Sequence, residues 1–280
     1  MPFLDGRFRG ATMDDRQFRR VLEALGYSFE GYRRVRKGVK KRLRRHMRAL
    51  GCRTMEAYLD RLAASREVHA ACIRRMAVPI SRFWRDRDFW ESLQTFWLPA
   101  LQQRFGRTLA AWSAGCACGE EAYSLAMAER ESRVSGPPEN GALLVIMATD
   151  LNPVVLAKAR AGVYPASSLR EVPAHLVDRY FVPLRRRRRY RIRSELFGNI
   201  HWRRQAIEAA SSEGPFHLIL LRNNVLTYRD DAGRRGVLAQ VAAQLHPGGL
   251  LAIGRKESLP VGVSGLTPAA AALPCLYLKT

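Results

Sequence analysis

Nowhere in these 280 residues does an apolar run reach the roughly 18 residues that a membrane-crossing helix takes, so the chain reads as no integral membrane protein. The opening MPFLDGRFRG lacks the apolar segment of a signal peptide, and the expected location is the cytoplasm. Cysteine is sparse: Cys52, Cys72, Cys116, Cys118 and Cys275 are scattered and odd in number, which argues against a disulfide framework. Cys116 and Cys118 form a C-x-C without a second ligand pair, so buried thiols are expected there and no metal site. There is no internal repeat. Acidic residues are also few, 25 against 47 Lys and Arg, for a formal net charge of +22. That imbalance predicts an acidic partner, whether protein, nucleic acid or membrane surface, and says nothing of the fold.

What is present divides at about residue 78. Residues 1–78 read as a small, basic, all-α domain. Asp14 suits a helix N-cap ahead of Phe18, Val21, Leu22 and Leu25, and Gly26 stops that helix. A second stripe at helical spacing runs through Tyr32, Val35, Val39, Leu43, Met47 and Leu50. Thr54 caps a third helix, and a fourth covers residues 66–76. Between Arg33 and Arg48 stand ten Lys or Arg residues and no acid. Like charges three and four apart destabilise a helix unless something offsets them, so this helix is expected to dock on an acidic partner; nucleic acid would satisfy it equally well.

Residues 79–280 alternate strands with helices, the pattern of a mostly parallel α/β sheet. In residues 109–124, LAAWSAGCACGEEAYS, an apolar strand gives way at Gly115 to a small-residue turn and then to a helix beginning at Glu120. Glycines let backbone approach a ligand, and a helix N-terminus offers free N–H groups. Two acids at the head of that helix oppose a bound pyrophosphate. A second apolar strand, LLVIMATD, ends in Asp150, farther from Gly115 than the roughly 20 residues of the dinucleotide fingerprint. S-adenosylmethionine, with a ribose and an amino-acid tail but no phosphate, fits these features better. Further strands are expected over residues 200–205, 216–221 and 250–254, with a turn at His246-Pro247-Gly248-Gly249 and a last edge strand over residues 273–278. Residues 164–197 break the alternation and read as a small insertion with a hairpin, Tyr190-Arg191-Ile192-Arg193 forming an exposed strand.

Taken together, SRFWRD (residues 81–86), WSAGCACGEEAYSLAM (112–127), ATDLNPVVLAKARAGVY (148–164), FHLILLRN (216–223), Tyr228, LHPGGLLAIG and the following ESL are similar in order and spacing to the CheR-type chemoreceptor glutamate methyltransferases, over nearly the whole chain. The resemblance implies a Rossmann-like class I S-adenosylmethionine methyltransferase domain (79–280) with a short inserted β-subdomain (164–199), behind a helical acceptor-docking domain (1–78). It implies methyl transfer to glutamate side chains of a chemoreceptor-like helical protein. By motif position, Arg85 and Tyr228 are the expected catalytic residues. Ser81, Arg85, Gly115, Glu120, Asp150, Ala206, Ile207, Arg222 and Asn223 are the expected donor-binding residues. Glu120 would meet the donor's amino-acid end and Asp150 its ribose.

The sequence departs from the family pattern in places. Asn224 keeps the usual spacing to the tyrosine, whereas Asn223 keeps the pairing with Arg222; Ala206 stands where relatives carry Asn or Asp near the adenine; and Arg255-Lys256 replaces a His-Ser pair before Glu257. The insertion holds no Gly-Gly motif for docking a receptor's C-terminal peptide. Two alternatives follow: a methyltransferase of this fold acting on RNA or another acidic substrate, and a non-catalytic donor-binding module.

Overall fold

The computed structural model describes residues 13–78, 81–106, 108–135, 143–185, 188–209 and 214–280. Pro79, Arg186 and Arg187 lie outside the described residues, as does the opening decapeptide. The chain divides into two compact units, Met1–Val78 with Thr227–Arg234, and Pro79–Leu226 with Arg235–Thr280.

In the first unit α1 (Asp15–Ala24) starts from a complete capping box, Asp14 accepting from the Gln17 N–H at 2.7 Å while Gln17 reaches back to the Asp14 N–H. Helices α2 (Arg36–Ala49), α3 (Met55–Ala64) and α4 (Arg66–Met76) follow, the last two capped by Thr54 and Ser65. The apolar stripe is buried as expected, with Phe18, Val39, Leu43 and Tyr58 fully so. Tyr32 also joins that core, but from a turn and not from the helix; α2 begins at Arg36. Cations crowd positions 33–37, where the positive end of a helix repels them.

The basic run is offset more than its sequence shows. Asp15 pairs with Lys40 at 2.8 Å and Arg36 at 3.5 Å; Arg42 donates to the last carbonyls of α4 and beyond, Arg75 O at 2.6 Å and Ala77 O at 2.9 Å; Arg44 is buried. Lys37, Lys41, Arg45 and Arg48 remain exposed at helical spacing along one stripe. Behind α2, His46 Nδ1 lies 2.9 Å from the Tyr58 hydroxyl, which donates to Cys72 Sγ at 3.3 Å.

The second unit carries α5 (Arg87–Ser92), a five-residue π turn (Leu93–Trp97) and α6 (Leu98–Phe105). Then come, in chain order, β1 (Thr108–Ala114), α7 (Glu120–Ser135), β2 (Leu143–Asp150), α8 (Pro153–Ala161), β3 (Val163–Pro165), α9 (Ala174–Tyr180), β4 (Phe181–Leu184), β5 (Arg189–Ile192), β6 (Ile200–Arg204), β7 (Phe216–Leu221), α10 (Val225–Tyr228) and α11 (Asp231–Ala243), of which residues 227–228 and 231–234 belong to the first unit, and then β8 (Leu245–Ile253), β9 (Leu266–Pro268) and β10 (Leu276–Lys279). Strands order as β6-β2-β1-β7-β8-β10-β9, the first five parallel to one another and β10 antiparallel to both β8 and β9. This is the Rossmann-like arrangement of class I methyltransferases. Its crossover lies between β1 and β7, so the carboxyl ends of β1, β2 and β7 open onto one crevice.

Three expectations of local structure change. The His246-Pro247-Gly248-Gly249 turn is instead a bulge inside β8: Phe216 pairs with Leu245, but Leu218 pairs with Leu250. Glycine permits this, because Gly248 has φ 80° and a Cβ there would lie 2.0 Å from Arg104 Cζ. The last strand is not the edge, since β9 pairs outside β10. The exposed hairpin strand, β5, is the centre of a three-stranded sheet β3-β5-β4, and its Ile192 is buried with Tyr164 and Phe181 in the core of the second unit.

Candidate functional site

Around Gly115 the backbone folds back on the neighbouring strand. Gly115 and Cys116 both donate to Thr149 O, at 2.9 and 2.8 Å, and Ala117 donates to Asp150 Oδ2 at 3.1 Å. Gly115 has φ 77°, and a Cβ on it would come within 2.7 Å of Asn224 Nδ2 and 3.1 Å of Ile207 Cδ1. The other oxygen of Asp150 accepts from Asn152 N at 2.8 Å. Burial raises the Asp150 pKa, opposed by these two N–H donors. The carboxylate is thus held at the strand end, each oxygen with a lone pair to spare.

Two adjacent glutamates begin α7 and face different partners. Glu120 is buried; its carboxyl is hydrogen-bonded to Ser81, its Oε2 has no partner among the described residues, and burial pushes it up to about 7. Glu121 accepts from Ser113 Oγ at 2.7 Å and lies 3.7 Å from Arg222 Nη1; burial also pushes it up to about 7, with Arg222 pulling it down.

The segment Trp84-Arg85-Asp86 faces the same strand ends. Trp84 and Asp86 both sit at positive φ, 58° and 63°. Trp84 N donates to Ser124 Oγ at 3.0 Å, and Arg85 O accepts from Trp90 Nε1 at 2.8 Å and from Arg222 Nη2 at 3.1 Å. The Arg222 side chain, 2% exposed, pairs with Asp86 Oδ2 at 2.7 Å and lies over the Phe89 ring, 4.4 Å from its centroid. Beside it, Asn223, with φ 57°, donates its N–H to Glu257 Oε2 at 2.8 Å; Gly254 N donates to the same oxygen at 2.7 Å. Asn224 Nδ2 donates to Ala114 O at 2.6 Å.

Most of the expected residues therefore meet. Ser81 joins Glu120, Gly115 joins Ile207, Asp150 closes on the turn after β1, and Arg85 joins Arg222 through its backbone. Ala206 follows Gln205, whose N–H donates to Asp150 O at 3.3 Å. Tyr228 belongs to the helical unit, where its ring centroid is 4.8 Å from that of Tyr32 and its carbonyl accepts from Ser28 N. Ser113, Glu121, Asp86, Asn224 and Glu257 carried no expected role. Asp86, Glu121 and Asn224 adjoin residues that did, and that adjacency was the available signal.

Residues 80–270 match the family described as CheR methyltransferase, SAM binding domain. The chain belongs to the CheR methyltransferase family. It is similar to a chemotaxis protein methyltransferase of Listeria monocytogenes serovar 1/2a, 32% identical over 212 residues, covering 74% of this chain and 75% of that protein. It is also similar to an uncharacterized 104.1 kDa protein in the hypE 3' region of Rhodobacter capsulatus, 31% identical over 249 residues, covering 86% of this chain but 25% of that much longer protein. Among solved structures, the N-methyltransferase NodS from Bradyrhizobium japonicum WM9, in complex with S-adenosyl-L-homocysteine, matches at 16% identity and TM-score 0.33, over 61% of this chain and 63% of that one. As a CheR-family member the chain is an S-adenosylmethionine-dependent methyltransferase. Among the described residues, no helix is long and apolar enough to cross a membrane.

The residues present fit that cofactor. The orphaned oxygen of Glu120 suits the donor's ammonium, and Gly115, where a Cβ would collide with Asn224 and Ile207, keeps bare backbone at the same turn. A carboxyl raised to about 7 holds a proton in the folded protein that the unfolded chain, near 4.3, has released, so it lowers stability as pH rises through that window. An ammonium ligand favours the ionised form. Affinity for S-adenosylhomocysteine is therefore expected to rise by about five- to tenfold from pH 6 to pH 8. Calorimetry on Glu120→Gln checks this: a rise that persists unchanged in the variant assigns it to another group.

Proposed function

We propose that this protein methylates glutamate side chains of an acidic, chemoreceptor-like helical protein in the cytoplasm. The observation that carries the reading is the unpartnered buried oxygen of Glu120, set at the head of α7 in the same β1–α7 turn that closes on Asp150. In this reading Ser81 and Glu120 hold the donor's amino-acid end, Asp150 the ribose, and Ala206 with Ile207 borders the adenine. Gly115 and Asn223 give close backbone approach. When bound, S-adenosylmethionine supplies a methyl group on a positively charged sulfur, which a glutamate carboxylate with a pKa near 4.3 attacks without a general base. The chain's task is then placement and exclusion of water. Arg85 holds the acceptor carboxylate by a charge-assisted bond. The orienting role that the resemblance gives Tyr228 is part of the same proposal.

The exposed stripe Lys37, Lys41, Arg45 and Arg48 supports an acidic acceptor. Replacing these four by Gln is expected to raise the acceptor KM several-fold at low salt, an effect that fades as ionic strength rises. Donor affinity and the unfolding midpoint stay put; a matching loss of donor affinity would contradict the assignment. Arg42→Gln, by contrast, uncaps α4 and lowers the midpoint.

The deciding experiment incubates the protein with tritiated S-adenosylmethionine and a chemoreceptor cytoplasmic fragment, then adds alkali. Volatile methanol marks a carboxyl ester. Label that resists base, or that accumulates in added RNA, overturns the reading.

A further inference from the structure

Arg222 emerges from the end of the buried strand β7, where the family resemblance places it among the donor's contacts. Its guanidinium is instead spent inside the protein. Nη2 is shared between Arg85 O and Asp86 Oδ2, Nη1 faces Glu121, and the plane lies over Phe89 and Trp90. The segment it grips is strained: both neighbours of Arg85 adopt the left-handed φ that non-glycine residues avoid. Such a conformation persists only where surrounding contacts over-determine it. Here those contacts are Ser124 on Trp84, Trp90 on Arg85 O, and Arg222 on both Arg85 and Asp86. The Arg85 guanidinium, by contrast, makes no hydrogen bond or ion pair with the described residues, and its charge is felt at Glu121. The backbone of Arg85 is clamped while its head is left for a ligand.

We infer that Arg222 is a positioning residue: it fixes Arg85 at the site through Asp86 and the Arg85 carbonyl, and does not itself bind the donor. The inference rests on the function proposed above for Arg85. Arg222→Lys keeps the charge that Asp86 and Glu121 need but loses the fork that spans them.

The variant is expected to lose about 10- to 100-fold in kcat, as misplacement of a reacting group by an ångström can cost, while its affinity for S-adenosylhomocysteine stays within about threefold of wild type. In an Arg85→Ala background the same substitution should cost almost nothing further, because both changes remove one interaction. Reaction of Arg85 with phenylglyoxal, read by peptide mass spectrometry, should be at least about threefold faster in Arg222→Lys, since an unclamped segment samples more open conformations. Additive losses in the double variant, a tenfold loss of donor affinity at unchanged kcat, or an unchanged phenylglyoxal rate would each overturn the inference. The last readout needs no acceptor, so it separates this inference from the proposed reaction; absence of base-labile methanol with wild type would sink only the latter. If Arg222→Lys does not fold, Asp86→Asn, which removes one end of the clamp, must show the same split and the same faster labelling. Failure to do so would equally overturn it.

Discussion

Arg85→Ala is expected to reduce kcat for methyl transfer by about 10²- to 10³-fold, the range measured when a positioned donor to a reacting group is removed. The structural cost should be small. What Arg85 contributes to the fold is its carbonyl, which accepts from Trp90 and Arg222, and alanine retains that carbonyl. The side chain that is lost has no hydrogen-bonded partner among the described residues, so the unfolding free energy should move by less than about 0.5 kcal/mol. Initial rates on the receptor fragment and a urea titration of the same preparation decide the matter. Full activity in the variant removes Arg85 from the site, and a large fall in stability would mean that its side chain serves the fold.

The second large effect falls on the donor. Asp150→Ala should weaken S-adenosylhomocysteine binding by about 1.5 to 3 kcal/mol, or roughly 10- to 150-fold, the value of hydrogen bonds to a charged group. Part of that loss is local order. Asp150 also accepts from Ala117 N and Asn152 N, and Ala117 sits at φ 49°, so without the carboxylate the turn after β1 loses what holds it. Asp150→Asn keeps one acceptor oxygen and should fall between wild type and alanine. Calorimetric affinity unchanged in both variants would refute the ribose assignment.

The two variants differ in how far sequence alone could foresee them. Asp150 could be read from local pattern, because an apolar β-strand ending in an acid beside a glycine turn is a short-range signal. The clamp on Arg85 could not. Arg222 and Asp86 are 136 positions apart, and nothing in either neighbourhood announces the other. The offsets within the basic helix were hidden for the same reason: Asp15, which pairs with Lys40, lies on a different helix, and Arg42 finds its acceptors 33 and 35 positions away.

By itself the sequence determined the elements and their kind, through signals that act within a turn or two: the capping box at Asp14, the Thr54 and Ser65 caps, the apolar strands of the sheet, the glycines at 115 and 119. The motif order placed the chain in its family on the same basis. Tertiary structure alone decided which charges are spent inside the protein, that the Pro-Gly-Gly segment bulges within a strand, that β10 is covered by β9, and that Tyr228 travels with the helical unit. Backbone propensity is local, whereas ion pairs, strand order and close approach depend on which distant segments meet in space.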